Sequence, residues 1–245
     1  MSVPELSVVI PAHNEAENIG PLVDEVRRAL DGRACEIVVV DDASEDDTAA
    51  RLAALARQWP ALRVVRHRRR AGQSTALMSG VHFARGALVV TLDGDGQNDP
   101  ADIPALLEAW HARRQDRPLL IAGHRVNRHD GFVTRASSRI ANAVRGTLLR
   151  DRTPDTGCGL KVFERETFLA LPHFDHMHRF LPALVIRQGG VVVSVPVRHR
   201  PRARGRSHYG VWNRLWIGIV DLFGVMWLIR RARSGEAQES GRAGE

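Results

Sequence analysis

Two aspartates stand two residues apart in the stretch T-L-D-G-D-G-Q-N-D-P (Thr91–Pro100), directly after the apolar run Ala87–Val90. Carboxylates this close repel one another unless a positive charge lies between them. A hard divalent cation, Mg2+ or Mn2+, meets that need: it prefers oxygen ligands and binds through one or two carboxylates, with substrate phosphates completing its shell. Asp93 and Asp95 are the ligands this predicts, and Gly94 and Gly96 leave room for a bulky ligand to approach. A calcium loop of the EF-hand type is excluded, because its sixth and twelfth positions need Gly and Glu where this chain has Asn98 and Pro104. The structural alternative is a solvated Asp–Gly turn.

Such a pair needs elements to place it. Continuous apolar runs at Leu6–Ile10, Cys35–Val40, Leu62–Val65, Ala87–Leu92 and Leu119–Ala122 read as buried strands. Between them, helical spacing marks Pro21–Leu30, a segment capped by Ser44 and running to Trp59, Gly72–Ala84 and Pro104–Arg114. This alternation predicts an α/β fold with a mostly parallel sheet, whose ligands bind at the carboxyl ends of the strands. P-A-H-N-E follows the first strand, D-D-A-S the second and D-G-D-G-Q the fourth, so acidic groups collect along one edge. After Gly123 the rhythm breaks. The spacing predicts a polar, mobile loop over 124–135, a helix over Thr134–Leu149 and a short strand closing D-T-G-C-G-L-K-V-F. A helix over Phe180–Gln188 and a strand over Val191–Val197 follow, then an arginine-rich loop.

The chain has 245 residues, 44% of them hydrophobic, enough for one sizeable core, and a formal net charge of +7. That charge predicts an anionic partner, either a nucleotide, a phosphate ligand or an anionic membrane surface. Nucleic acid is set aside, because no aromatic-studded recognition motif is present and Tyr209 is the only tyrosine. Lys161 is the only lysine, so the basic charge is almost wholly arginine. Cys35 and Cys158 have neither disulfide-framework nor metal-ligand spacing, which fits a reducing cytoplasm, and the first residues lack the basic and apolar regions of a signal peptide. Leu215–Ile229 is apolar apart from Gly218, Asp221 and Gly224, and fifteen helical residues span about 22 Å, short of the roughly 30 Å hydrocarbon core. With Trp212, Trp216 and Trp227 it predicts an amphipathic helix lying on the cytoplasmic leaflet; a core helix or a homodimer contact is the alternative.

V-V-I-P-A-H-N-E, V-V-V-D-D-A-S and T-L-D-G-D-G-Q-N-D-P, in this order and spacing, resemble the inverting family-2 glycosyltransferases of GT-A fold. G-H-R, S-S-R-I-A-N, D-T-G-C-G-L-K-V-F, H-R-F-L-P-A-L and H-R-P-R-A-R-G-R-S-H-Y-G are similar to the polyprenyl-phosphate (dolichol-phosphate) mannosyltransferase branch. His208 departs from the G-x-S-K-Y pattern of that branch, and many relatives carry two to four transmembrane helices where this chain has at most one short apolar segment. The resemblance implies transfer of a mannose-like hexose from a GDP- or UDP-linked sugar to a polyprenyl phosphate. The alternatives are a non-lipid acceptor, a nucleotidyltransferase or a basic nucleic-acid-binding protein.

By the same resemblance Pro11, Asn14 and Glu15 line the base and ribose pocket, and Asp42, with Asp41 beside it, contacts the nucleotide. Asp93, Asp95 and Gln97 hold the metal against the diphosphate. Arg125, Arg135, Ser138 and Arg139 receive the acceptor phosphate, which planar guanidinium groups bind well. Asp155 lies in the site with its role open, and Arg202, Arg206 and Ser207 close over the diphosphate, the neighbouring arginines meeting lipid headgroups. Glu15 as a helix-dipole acid, Asp41 as a backbone acceptor, the arginines as a solvated face and His178 as a core residue are the structural alternatives. The expected organisation is a GT-A domain over 1–210, an apolar interfacial helix over 211–233 and a disordered tail over 234–245, peripheral on the inner face of the cytoplasmic membrane.

Overall fold

The computed structural model describes residues 4–114, 116–126, 145–201 and 211–231, with the backbone alone over 211–217. The apolar runs form one seven-stranded sheet from β1 (Leu6–Ala12), β2 (Cys35–Asp41), β3 (Leu62–Arg66), β4 (Leu88–Thr91), β5 (Leu119–Arg125), β6 (Lys161–Glu164) and β7 (Val191–Val197). Their spatial order is β3-β2-β1-β4-β6-β5-β7, parallel except for β6, which runs antiparallel to both β4 and β5. After β3 the chain crosses β1 to form β4 on its other side. The carboxyl ends of β1 and β4 therefore flank a topological switch point, where open α/β sheets bind ligands.

Both sheet faces are covered, which is why the strands read as unbroken apolar runs. Val8, Ile10, Ile37, Val39, Val90 and Ile121 meet α1 (Ala16–Ala29), α2 (Thr48–Gln58) and α4 (Ile103–Arg113). The alternate residues Val9, Val38, Val89 and Leu120 meet α3 (Gln73–Phe83), α5 (Arg165–Leu169), α6 (Leu181–Arg187) and α7 (Val211–Arg230).

Several boundaries differ from the sequence expectation, each for a tertiary reason. Helix α1 begins at Ala16 rather than Pro21, because its first amides are capped from a loop thirty residues away: Thr48 Oγ1 accepts from Glu15 N at 2.9 Å and Asp46 Oδ2 from Ala16 N at 3.1 Å. Ser44 does not cap α2; its hydroxyl accepts from Asn14 N at 2.9 Å, and the helix starts at Thr48. Strand β5 extends to Arg125, since its pairing with β7 continues to Arg125 opposite Val197, so His124 and Arg125 belong to the sheet rather than to a loop. Residues 145–149 are helical; the rest of the helix expected from Thr134, and the tail after 233, lie outside the described residues.

Helix α7 turns Asp221 and Val225 towards the protein. Asp221 lies 3.1 Å from His176 Nδ1, Arg187 Nε donates to the Leu228 carbonyl at 3.0 Å, and Val225 is buried in the core. Its outward face carries Val220, Phe223 and Trp227, exposed by 54%, 64% and 60%. No helix among the described residues is long and apolar enough to cross a membrane.

Candidate active site

The turns that end β1 and β2 pass through the left-handed region at Asn14 (φ 56°) and Ala43 (φ 54°), and they interlock. Besides the Asn14–Ser44 bond, Asn14 Oδ1 accepts from Glu45 N at 2.8 Å, and Glu15 Oε2 accepts from Asn18 Nδ2 at 2.6 Å. Asp41 is fully buried: Oδ1 accepts from Ser44 N at 2.9 Å and Oδ2 lies 3.2 Å from Arg66 Nε. Asp42 accepts from Ala71 N and Gly72 N, both at 2.8 Å, and faces His67 Nδ1 at 2.7 Å. Burial alone would raise the Asp42 pKa, but the His67, Ala71 and Gly72 hydrogen bonds outweigh it and hold the carboxyl below its ordinary value. The polar groups of Asn14, Glu15, Asp41 and Asp42 thus fasten the loops that wall the crevice.

Asp93 and Asp95 follow β4 across the switch point. Gly94 permits the close approach of the two strand ends, since a Cβ there would stand 2.7 Å from the Pro11 carbonyl. Asp93 sits in a cradle: Oδ1 accepts from Gln73 Nε2 at 2.8 Å, and a Cβ on Gly159 would come within 2.3 Å of the carboxylate. Burial, and then the charge of Asp95, push its pKa up to about 6 against the opposing influence of Lys161, Arg125 and Gln73. Asp95 Oδ1 accepts from Gln97 N at 3.1 Å.

Two adjacent carboxylates that resist joint ionisation suit a hard divalent cation. Among the described residues no three His, Cys, Asp or Glu side chains converge on one point. Asp93 and Asp95 stand together at the end of β4, and two carboxylates leave most of a cation's coordination positions to substrate oxygens or water. That fits Mg2+ or Mn2+ better than a cage built wholly of protein.

Cationic groups arrive on β5 and β6. Arg125 grips Asp155 with two prongs, Nε to Oδ2 at 2.7 Å and Nη2 to Oδ1 at 2.9 Å, and its own amide adds a third bond to Oδ2 at 3.2 Å. Asp155 thus holds the Arg125 guanidinium in a fixed plane. Lys161 stands opposite Thr91 in the β4–β6 register, is buried, and donates from Nζ to the Cys158 carbonyl. Burial pulls its pKa down, while Cys158, Asp93 and Asp155 act the other way, so Lys161 shares one electrostatic cluster with both acids.

Arg135, Ser138, Arg139, Arg202, Arg206 and Ser207 lie outside the described residues. Arg198 and Arg200, expected among the headgroup-facing arginines, are instead paired with protein acids. Arg198 meets Asp99 at 3.2 Å and Asp102 at 2.9 Å; Arg200 reaches Glu25 and Asp99, each at 2.6 Å. These carboxylates from α1 and the segment after β4 bind the stem of the basic loop to the acidic edge. His178 is half-buried, its Nδ1 2.7 Å from Ser74 Oγ; desolvation, then nearby Arg179, push its pKa well below 6.5. Sequence reasoning missed Gln73, Gly159 and Lys161 as parts of the site. Only Lys161 carried a signal, as the one lysine among 35 basic residues.

The chain matches the family model "Glycosyl transferase family 2" over residues 7–169. It is 38% identical over 241 residues to the dodecaprenyl-phosphate galacturonate synthase of Rhizobium johnstonii, covering 94% of this chain and 69% of the relative. It is 35% identical over 211 residues to the undecaprenyl-phosphate 4-deoxy-4-formamido-L-arabinose transferase of Edwardsiella ictaluri, covering 84% and 63%. The chain thus spans about two thirds of the length of these curated relatives. In fold it is similar to glucosyl-3-phosphoglycerate synthase from Mycobacterium tuberculosis in complex with Mn2+, UDP and glucosyl-3-phosphoglycerate (TM-score 0.67, 21% identity, 94% of this chain and 81% of that one). It is also similar to the mannosyltransferase PcManGT from Pyrobaculum calidifontis in complex with GDP-Man and Mn2+ (TM-score 0.65, 23% identity, 95% and 66%).

Proposed function

This chain belongs to glycosyl transferase family 2, and on that footing we propose that it transfers a sugar from a nucleoside diphosphate sugar to a polyprenyl phosphate, with Mg2+ or Mn2+ held at Asp93 and Asp95. The observation that carries the reading is the meeting, at the β1–β4 switch point, of the Asp93–Asp95 pair with the Arg125–Asp155–Lys161 cluster. The Mn2+ and UDP- or GDP-linked ligands in the fold neighbours support the donor side, and the dodecaprenyl- and undecaprenyl-phosphate relatives support the acceptor.

The bound cation supplies charge neutralisation on the leaving nucleoside diphosphate. The chain's own residues do the rest. Asp93, held by Gln73 against Gly159, and Asp95, curled by the Gln97 amide, present oxygens to the cation. The interlocked Pro11–Glu15 and Asp41–Ser44 turns wall the nucleotide side. A phosphate acceptor is already an anion, so attack on the anomeric carbon needs positioning and charge balance rather than a strong base. Arg125 spends Nε and Nη2 on Asp155, which fixes its plane and leaves Nη1 for an incoming phosphate. Arg135, Ser138 and Arg139 complete that acceptor site, and Arg202, Arg206 and Ser207 close on the diphosphate. The new bond joins the acceptor oxygen to the anomeric carbon while the bond to the departing phosphate oxygen breaks on the opposite face, inverting the configuration.

The sugar we place first is galacturonic acid, because the Rhizobium relative covers 94% of this chain; mannose stands second. The exposed apolar side chains Val220, Phe223 and Trp227 on α7, followed by Arg230 and Arg231, support a reading in which this face rests on an anionic bilayer beside the lipid acceptor. Purified protein incubated with Mn2+, a panel of UDP and GDP sugars and a short polyprenyl phosphate tests the reading. A lipid-linked sugar with release of nucleoside diphosphate supports it. Transfer only to water-soluble acceptors refutes the lipid acceptor, and release of pyrophosphate refutes glycosyl transfer.

A further inference from the structure

We propose that Gln73 is a positioning residue that sets the Asp93 carboxylate for the divalent cation, and that the acidic end of β2 acts on the metal side of the site through it. The proposal rests on the cation reading above and adds to it a residue outside the acidic motif.

Two neighbours decide where the Asp93 carboxylate can lie. Gln73 Nε2 donates to Oδ1 at 2.8 Å. Opposite it stands Gly159, whose Cβ, if present, would lie 2.3 Å from Oδ2 and 2.4 Å from Oδ1. The Gly159 backbone is in turn tied to β4, its carbonyl accepting from Thr91 Oγ1 at 2.7 Å. The carboxylate is thus pressed between a fixed backbone and a donated N–H. One hydrogen bond to Oδ1 leaves Oδ2 and the second lone pair of Oδ1 for a cation.

Gln73 is itself exposed, yet the residues on either side of it are anchored. It opens α3 directly after Gly72, whose φ of 88° turns the chain into the helix. Ala71 N and Gly72 N each donate to Asp42 at 2.8 Å, so the peptide leading to Gln73 is pinned to the end of β2. Ser74, the next residue, is buried, and its Oγ lies 2.7 Å from His178 Nδ1. A glutamine that served only solubility would need neither anchor nor a carboxylate as its partner. An amide also has the right chemistry here, since it orients Asp93 without adding a charge that would repel the cation, as a lysine would, or a third carboxylate, as a glutamate would.

The test is Gln73→Met, which keeps side-chain length and helix propensity but removes the donor. Mn2+ binding is followed by electron paramagnetic resonance with UDP present and, separately, with GDP present, alongside Tm and a Mn2+ titration of transfer activity. A hydrogen bond to a charged group corresponds to about a tenfold change in binding. Q73M is therefore expected to raise the Mn2+ Kd about tenfold, leave Tm unchanged, and recover most of kcat at saturating Mn2+. A purely structural role would not separate the metal affinity from Tm in this way. If Q73M binds Mn2+ within about twofold of the wild-type Kd, the proposal alone is overturned; if the wild type binds no Mn2+ with either nucleotide, the cation reading falls and the proposal with it.

Discussion

Removing Asp155 should cost both stability and acceptor binding, and by amounts the geometry fixes. Asp155 receives three bonds from Arg125, at 2.7, 2.9 and 3.2 Å, and the two side chains keep only 6% and 17% of their exposure. Removing one member of a buried ion pair costs about 3–5 kcal/mol, because the other charge stays behind uncompensated. Arg125 retains some contact with water, so the lower end applies, about 3 kcal/mol for Asp155→Asn and a similar loss for Arg125→Met. The double variant leaves no stranded charge, so its loss should fall short of the sum by about 2 kcal/mol. At about 2–4 °C of Tm per kcal/mol for a domain of this size, each single variant should melt roughly 6–12 °C lower. Urea unfolding of the four proteins at pH 7.5 closes the cycle, and acceptor titrations at fixed donor show whether D155N raises the acceptor KM. Losses that add to within about 0.5 kcal/mol would refute the idea that Asp155 exists to hold Arg125.

Gly159→Ala should expel the Asp93 carboxylate, since no side chain tolerates a carbon at 2.3 Å; Mn2+ affinity and transfer should both fall by about tenfold or more, and wild-type binding would contradict the cradle. Glu36 is buried, and although burial raises its pKa, bonds from Arg85 N, Arg63 and Ser7 outweigh that and hold it below 4.5. A carboxyl depressed in the folded state contributes stability above its unfolded pKa and loses it as pH falls through the folded value. The urea midpoint should therefore decline below about pH 4.5, with a smaller decline in Glu36→Gln; equal slopes would remove Glu36 from the account. The double variant F223S/W227S should fold normally, both side chains being exposed, yet bind anionic vesicles about tenfold or more weakly; unchanged co-sedimentation would count against α7 as the membrane face.

Much of the architecture was legible because a sheet covered on both faces needs strands that are apolar at every position, and Leu6–Ile10, Cys35–Val40 and Ala87–Leu92 have that look. The β7 boundaries agree residue for residue, and the acidic strand ends fell on one edge as the alternation required. What escaped the reading depended on groups distant in sequence. Nothing near Ala16 announces a helix start, because its caps come from Asp46 and Thr48. The protein partners of Asp42, namely His67, Ala71 and Gly72, lie after β3, some thirty residues on, where no local pattern marks them. The contact between Asp155 and Arg125 depends on β5 pairing with β7 as far as Arg125, an extension that no local pattern after Gly123 announces. Arg198 and Arg200 alternate as an exposed basic strip would, yet acids from α1 and the segment after β4 claim them.

The central claim is that a divalent cation bridges Asp93 and Asp95 to the diphosphate of a sugar nucleotide. Anomalous scattering at the manganese edge, from crystals grown with Mn2+ and UDP or GDP, tests it most directly. The account predicts a single strong peak in contact with oxygens of Asp93, Asp95 and the diphosphate, absent from the D93N/D95N variant. A nucleotide bound with no peak beside those two aspartates, or a peak held by other residues, would contradict it.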